Sequence, residues 1–256
     1  MIQFSANLGF LWTELSLPDA VRAAARAGFD AVECHDPFHV PLAEMRAALD
    51  ETGLPLLSLN TVRGNVRDGE NGLAAVPQRA DAARAAILQA IEYAKETGAR
   101  RVHVMAGRAS GQEAYETYCA NLRFAAEAAA AHEITILIEP LNAADAPGYF
   151  LGTTGQAAEI IGALGLDNLK LMFDCYHVQK TEGNVAERFA SLLPIIGHVQ
   201  IAAVPGRGEP STGELDYAFL LRRFRTLGYD GAIGAEYRPQ GKTEDSLGWL
   251  AHFKAF

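Results

Sequence analysis

Four side chains in the C-terminal half of this chain can each offer oxygen to a cation: Glu139, Asp174, Gln200 and Glu236. Each closes a short apolar run: ITILIE, LKLMFD, HVQ after LLPIIG, and GAIGAE. A carboxylate ending a buried strand is unfavourable unless something neutralises it. Carboxylates brought into one place repel one another unless they share a cation. An all-oxygen set suits Mg²⁺ or Mn²⁺ better than zinc. The pattern points to a metal-dependent enzyme.

Other residues could join this set. His177 follows Asp174 by three positions, which lets it face the same pocket from the following loop. Arg207, in PGRGEP, is a guanidinium suited to bidentate capture of a substrate carboxylate, and neighbouring Glu209 could pair with it. Arg63 and Glu70, in the loop after the third strand, are further candidates. Each residue also has a plainer reading. Glu139, Asp174 and Glu236 could cap the turns that follow them, and Gln200 could be an inward polar residue hydrogen-bonded inside a barrel. His177 and Arg207 could be solvated loop residues. His198 shares a strand face with Gln200 and is either buried or catalytic. His35 and His103 fall near the ends of the second and fourth strands, whereas His39, His132 and His252 read as surface residues.

Convergence of the four oxygen donors requires a scaffold, and the chain alternates strand-like and helix-like segments throughout. QFSANLG precedes LPDAVRAAARAG, FDAVECH precedes PLAEMRAALDETG, and LPLLSLN leads through a long loop to QRADAARAAILQAIEYAKETG. Gly28 and Gly53 suit helix C-caps, and Thr153 or Thr154 suits an N-cap. Eight such units in 256 residues, with no linker or low-complexity tract between them, predict one (β/α)₈ barrel spanning residues 1–256 as a single domain. An open doubly wound sheet is the alternative, but its glycine-rich dinucleotide fingerprint is absent, and GRASG after the fourth strand lacks the spacing. The longest loops follow strands three, five, seven and eight, on the barrel face where pockets form.

The bulk properties narrow the function classes. A formal net charge of −9 argues against nucleic-acid binding, which needs a basic footprint. Cys34, Cys119 and Cys175 are odd in number and widely spaced, which predicts a reducing, cytoplasmic setting without disulfides. No apolar run is long enough to span a membrane, and MIQFSANLGF reads as a first strand rather than a signal segment. The apolar C-terminal GWLAHFKAF either closes the barrel or meets a second copy in a homo-oligomer. No nucleophile elbow, P-loop or H-E-x-x-H motif is present, which leaves acid–base chemistry at a metal.

IEPLNAADAPGYFL, FDCYH, GHVQIAAVPGRGEPSTGELDY and AEYRP, with GENGLAAVPQR in the third loop, resemble the hydroxypyruvate isomerase family of xylose-isomerase-like barrels. The resemblance covers essentially the whole chain. It implies a divalent metal, Mg²⁺ or Mn²⁺, held by Glu139, Asp174, Gln200 and Glu236, with Glu139 and Glu236 as the acid–base pair and no organic cofactor. The related ketose 3-epimerases carry histidine where Gln200 stands, so Gln200 points to the hydroxypyruvate isomerase branch. His177 and Arg207 match substrate contacts of those epimerases. Some relatives carry an acidic residue where this chain has Ala203, so no role is assigned there. The implied activity interconverts hydroxypyruvate and tartronate semialdehyde through an enediolate, on a small 2-oxo or hydroxy acid. The alternatives are isomerisation of 2-oxotetronate or 3-epimerisation of a ketose at the same site. More distant rivals are a metal-dependent phosphodiesterase or nuclease, and a non-catalytic sugar-acid binder.

Overall fold

The computed structural model describes residues 1–256. Eight strands, β1 (Phe4–Asn7), β2 (Ala31–Cys34), β3 (Leu56–Asn60), β4 (Arg101–His103), β5 (Thr135–Ile138), β6 (Leu169–Asp174), β7 (Ile196–Ile201) and β8 (Ile233–Ala235), close into a parallel barrel in chain order. The seam runs between β1 and β8, with Phe4 opposite Ile233 and Ser5 opposite Gly234. The expected (β/α)₈ barrel is the observed architecture.

The helices are α1 (Leu17–Arg26), α2 (Leu42–Thr52), α3 (Ala80–Thr97), α4 (Gly111–Ala130), α5 (Thr154–Leu164), α6 (Cys175–Thr181), α7 (Val185–Leu192), α8 (Tyr217–Thr226) and α9 (Gly248–Lys254). Their ends follow local chemistry. The Thr153 hydroxyl accepts from the Gln156 backbone N–H and starts α5, and Gly53 ends α2 in the left-handed region, with φ +68°, where a side chain would be strained. Helix α6 is an addition to the sequence reading, which placed His177 in the loop that follows Asp174. His177 therefore sits on a helix, and the Asp174 carboxylate caps it by accepting from the Tyr176 N–H at 2.8 Å.

Alternation along each strand sorts side chains to two faces. In β6, Phe173 faces the helices and packs against Phe189 of α7 with ring centroids 5.6 Å apart. Phe4 of β1 does the same against Trp249 of α9, at 5.2 Å. Trp249, Leu250 and Phe253 are buried, so the apolar C-terminal segment packs within this chain.

The barrel interior is unusually polar for a fold whose centre is ordinarily filled by branched apolar residues. Ser5, Ser58, His198 and Gln200 all surround Glu33. Glycine makes this crossing of the interior possible: a Cβ on Gly234 would meet Glu33 Oε1 and would lie 2.9 Å from Gln200 Cγ. Gly234→Ala is expected to destabilise the protein by roughly 1–3 kcal/mol, the usual range for overpacking a tight interior. Urea unfolding measures this, and an unchanged midpoint would show that the interior has slack at β8.

No helix is long and apolar enough to cross a membrane.

Candidate active site

The C-terminal ends of β5, β6 and β8 bring Glu139, Asp174 and Glu236 together around Arg207 and His177, and Gln200 lies on β7 beside Asp174. Glu139, Asp174, Gln200 and Glu236 are all buried, at 5 %, 1 %, 2 % and 5 % exposure. Asp174 and Gln200 are register partners on β6 and β7, so their side chains leave the barrel wall on the same side. Glu139 and Glu236 line a cavity of ≈ 260 Å³, together with His35, His177, Arg207 and Phe10. That volume lies a little below the usual range for drug-sized ligands and suits a small metabolite.

Asp174 and Glu236 each have one oxygen held by a hydrogen bond, whereas Glu139 makes none. Asp174 Oδ1 caps α6, while Oδ2 lies 3.4 Å from Arg207 Nη2 and 3.6 Å from His177 Nε2. The cap therefore occupies one oxygen and leaves the other facing Arg207 and His177. Glu236 Oε1 accepts from His35 Nε2 at 3.1 Å and forms an ion pair with Arg207 Nη2 at 3.1 Å, while Oε2 is buried without a partner. Glu139 Oε2 lies 3.5 Å from His103 Nδ1, and its Oε1 has no hydrogen-bond partner. Gln200 Oε1 is likewise buried and unpartnered.

Arg207 is fixed from several sides. It adopts a left-handed backbone, with φ +54°, between two glycines. Its guanidinium lies 4.6 Å from the Phe10 ring centre and 4.9 Å from that of Tyr176. Its charge pairs with Asp174 and Glu236, whereas Glu209, the partner suggested by sequence, lines a neighbouring cavity. Arg207 Nε remains buried without an acceptor. Arg63 lines the cavity mouth. Glu70 pairs with Arg79 and accepts from the Asn65 N–H, bracing the third loop.

The titration behaviour follows from this packing. Burial raises Glu139 well above the ordinary carboxylate range, reinforced by the charges of Glu236 and Asp174. Burial likewise pushes Asp174 up to about 7, against the pull of Arg207. Glu236 is also buried, but Arg207 and His35 outweigh that and hold it at about 2. Burial lowers His177 to about 3, helped by Arg207, so its ring is neutral.

The neutral ring has a defined tautomer. His177 Nδ1 accepts from the Asn142 backbone N–H at 3.0 Å, so the proton resides on Nε2. Glu139, Asp174 and His177 bring potential ligand atoms within 4.8 Å of one another. Yet Nε2, the nitrogen that faces Glu139 and Asp174, is the protonated one, which makes His177 a hydrogen-bond donor rather than a metal ligand.

Charge and hydrogen bonding together test whether a divalent ion fits. Three buried carboxylates face one guanidinium, leaving two negative charges unbalanced when all are ionised. Three of the surrounding oxygens, Glu139 Oε1, Gln200 Oε1 and Glu236 Oε2, have no partner, and buried orphans of this kind are uncommon in native proteins. A hard dication meets both requirements with the oxygen donors present.

The structure adds three residues to those chosen from sequence. His35 orients Glu236 and Asn142 sets the tautomer of His177, while Glu33 organises the interior beneath Gln200. His35, already placed near the end of the second strand by the sequence, ends the run AVECH and meets Glu236 across the barrel. His198 is fully buried beside Glu33, 3.0 Å from Oε1, which decides for the interior reading.

A family profile of xylose isomerase-like TIM barrels matches residues 21–253. The chain belongs to that family. Full-length relatives place it within the hydroxypyruvate isomerase group. A 2-oxo-tetronate isomerase from Cupriavidus necator is 47 % identical over 254 residues, 98 % of each chain. The hydroxypyruvate isomerase of Escherichia coli is 35 % identical over 99 % of this chain and 100 % of its own. A crystal structure described as an AP endonuclease, family 2, from Brucella melitensis superposes with a TM-score of 0.95 at 35 % identity, covering 98 % of this chain and 99 % of that one. This member of the xylose isomerase-like barrels is an isomerase, as the resemblance implied.

Proposed function

We propose that this barrel interconverts hydroxypyruvate and tartronate semialdehyde, moving one carbon-bound proton between two glutamates beside a divalent metal. The observation that carries the reading is the pair Glu139 and Glu236: two buried carboxylates on one small cavity, each with an oxygen that nothing in the protein uses. Glu139, Asp174, Gln200 and Glu236 would hold Mg²⁺ or Mn²⁺, which supplies positive charge to offset the negative charge that develops on the substrate oxygens.

The residues divide the remaining work. Glu236, with Oε1 fixed by His35 and Arg207, takes the proton from C3 at Oε2. Glu139 returns a proton to C2 from Oε1. The hydroxyl proton on the C3 oxygen passes to the neighbouring C2 oxygen so that C3 becomes the aldehyde, and the two glutamates regain their starting protonation through solvent. The His177 Nε2–H donates to the substrate oxygen on which charge grows, as an oxyanion-type donor. Arg207, clamped between Phe10 and Tyr176, offers its unpartnered Nε–H to the substrate carboxylate. Holding the acid at one end fixes C2 and C3 between the glutamates, which is the positional part of catalysis.

A second substrate reading has its own support. The Cupriavidus necator relative is named for 2-oxo-tetronate at 47 % identity. That acid undergoes the same C2–C3 exchange with a hydroxymethyl group in place of one C3 hydrogen, so both substrates use the same glutamates. A nuclease reading, prompted by the name of the Brucella structure, suits poorly a chain of net charge −9 with no basic footprint for a phosphate backbone.

The test is an NMR assay in D₂O of EDTA-treated protein with each acid, with and without Mn²⁺ or Mg²⁺. Metal-dependent conversion with deuterium entering at carbon is expected, and the faster acid identifies the substrate. Absence of conversion and of exchange with both acids and both metals would overturn the isomerase chemistry proposed here.

A further inference from the structure

A glutamine serving as an oxygen donor poses a problem that a carboxylate does not. Its amide has one oxygen and one NH₂ of nearly the same shape, and only the oxygen can face a cation. Something in the protein must choose which end points where. For Gln200 that choice is made inside the barrel, by a residue with no place in the cavity. The inference rests on Gln200 belonging to the cation set proposed above.

We infer that Glu33 is the positioning residue that locks the Gln200 amide with its oxygen turned toward the carboxylate cluster. Glu33 is on β2, well round the barrel from β7, and is 1 % exposed. Its Oε2 accepts from Gln200 Nε2 at 2.9 Å, and Ser58 Oγ approaches the same oxygen at 3.5 Å. Its Oε1 accepts from the Ser5 hydroxyl and lies 3.0 Å from His198 Nε2. A flipped amide would set its carbonyl oxygen against this carboxylate in a buried setting, where unpaired acceptors are costly. Only one amide orientation is therefore compatible with Glu33.

Two further features single out this contact. Gly234, between β7 and β1 in the sheet, lacks the Cβ that would collide with both Glu33 and Gln200 Cγ, so the wall is thinned where the two side chains meet. The consequence appears at the other end of the amide: Oε1 is buried and has no protein partner, on a residue whose register partner is Asp174. Partners of this kind, one step behind a ligand, commonly govern metal affinity without touching the metal.

The experiment measures Mn²⁺ binding by calorimetry and, in metal-free protein, the solvent-exchange protection of the Gln200 side-chain NH₂ by NMR. Glu33→Met keeps the length and removes the acceptor. It is expected to weaken Mn²⁺ at least about tenfold and to abolish the NH₂ protection. The exchanged pair Glu33→Gln with Gln200→Glu returns a donor–acceptor contact of opposite polarity, and position 200 then offers oxygen from either end. It is expected to bind Mn²⁺ within about threefold of the parent, which a merely structural role for the Glu33 charge would not produce. Should Glu33→Met fail to fold, Glu33→Asp, which withdraws the carboxylate by one methylene, takes its place with the same thresholds. Binding by the single variant within about threefold of the parent, or an exchanged pair as weak as the single variant, would overturn the inference. If the parent itself binds no Mn²⁺, the metal reading fails, and the NH₂ protection alone decides the role of Glu33: protection that survives loss of the acceptor overturns it.

Discussion

Glu236→Gln is expected to lower turnover by on the order of 10³-fold, the range for removing a positioned general base, while the barrel keeps its fold. The amide has the shape of the carboxylate it replaces. Its oxygen can still accept from His35 Nε2 and lie beside Arg207 Nη2, the hydrogen bond and ion pair that now meet Oε1 at 3.1 Å each. The change then falls on the free atom, where an NH₂ stands in place of the unpartnered Oε2, and an NH₂ cannot take a proton from carbon. A factor of 10³ corresponds to about 4 kcal/mol of barrier, far more than one rearranged surface contact supplies. Glu139→Gln should fall in the same range, and the double variant should be little slower than either single one, because groups that act in one step do not add. The measurement is kcat for each variant beside its thermal midpoint. Turnover within tenfold of the parent for both single variants would remove the glutamates from the proton path.

The barrel was legible in the sequence because eight repeats of one pattern each carry weak evidence for the same answer. Apolar strands ended by polar residues, and glycines such as Gly53 and Gly165 closing helices in the left-handed region, all agree with it. The burial of the four strand-end side chains was legible for the same reason: a carboxylate or amide closing an apolar run is anomalous wherever it occurs. What the sequence withheld were relations between residues far apart in the chain. Glu33 and Gln200 are 167 positions apart, and His35 and Glu236 are 201, so nothing local to either reveals the contact. Glu33 in AVEC looks like a solvent-facing strand residue, because alternation cannot say that this barrel has a polar interior. Asp174 shows a different limit, since its capping and site roles were weighed as rivals, yet one oxygen caps α6 while the other stays free to face Arg207. His177 lines the cavity, but the donor role proposed for it depends on the Asn142 N–H, 35 residues away.

Asp174→Asn should separate function from stability in the metal-free protein. Asn can keep the helix cap, because its Oδ1 still accepts from the Tyr176 N–H, while the second oxygen, 3.4 Å from Arg207, becomes an NH₂. Turnover is expected to fall by about 10²-fold or more, as when a metal contact is lost. Stability moves differently, and its sign follows from the carboxyl itself. Burial raises Asp174 from 3.8 to about 7 in the folded chain, so between those values the folded state binds more protons than the unfolded one. Its contribution to stability is complete below pH 3.8 and is lost as pH rises through about 7. Asparagine does not titrate. Measured without metal, the variant should gain on the parent as pH rises from 4 to 8, by on the order of a few kcal/mol, reduced by the lost pairing with Arg207. Adding Mn²⁺ should stabilise the parent much more than the variant, since a ligand that binds only the folded state raises stability by mass action. Urea unfolding at both pH values, with and without Mn²⁺, gives all four quantities. A gap between variant and parent that does not change with pH would mean that Asp174 is ionised at no cost in the folded chain. The case that this cluster of carboxylates is strained without a cation would then fail, because that strain is what a divalent ion would relieve and what leaves the free oxygens of Glu139 and Glu236 available to a substrate.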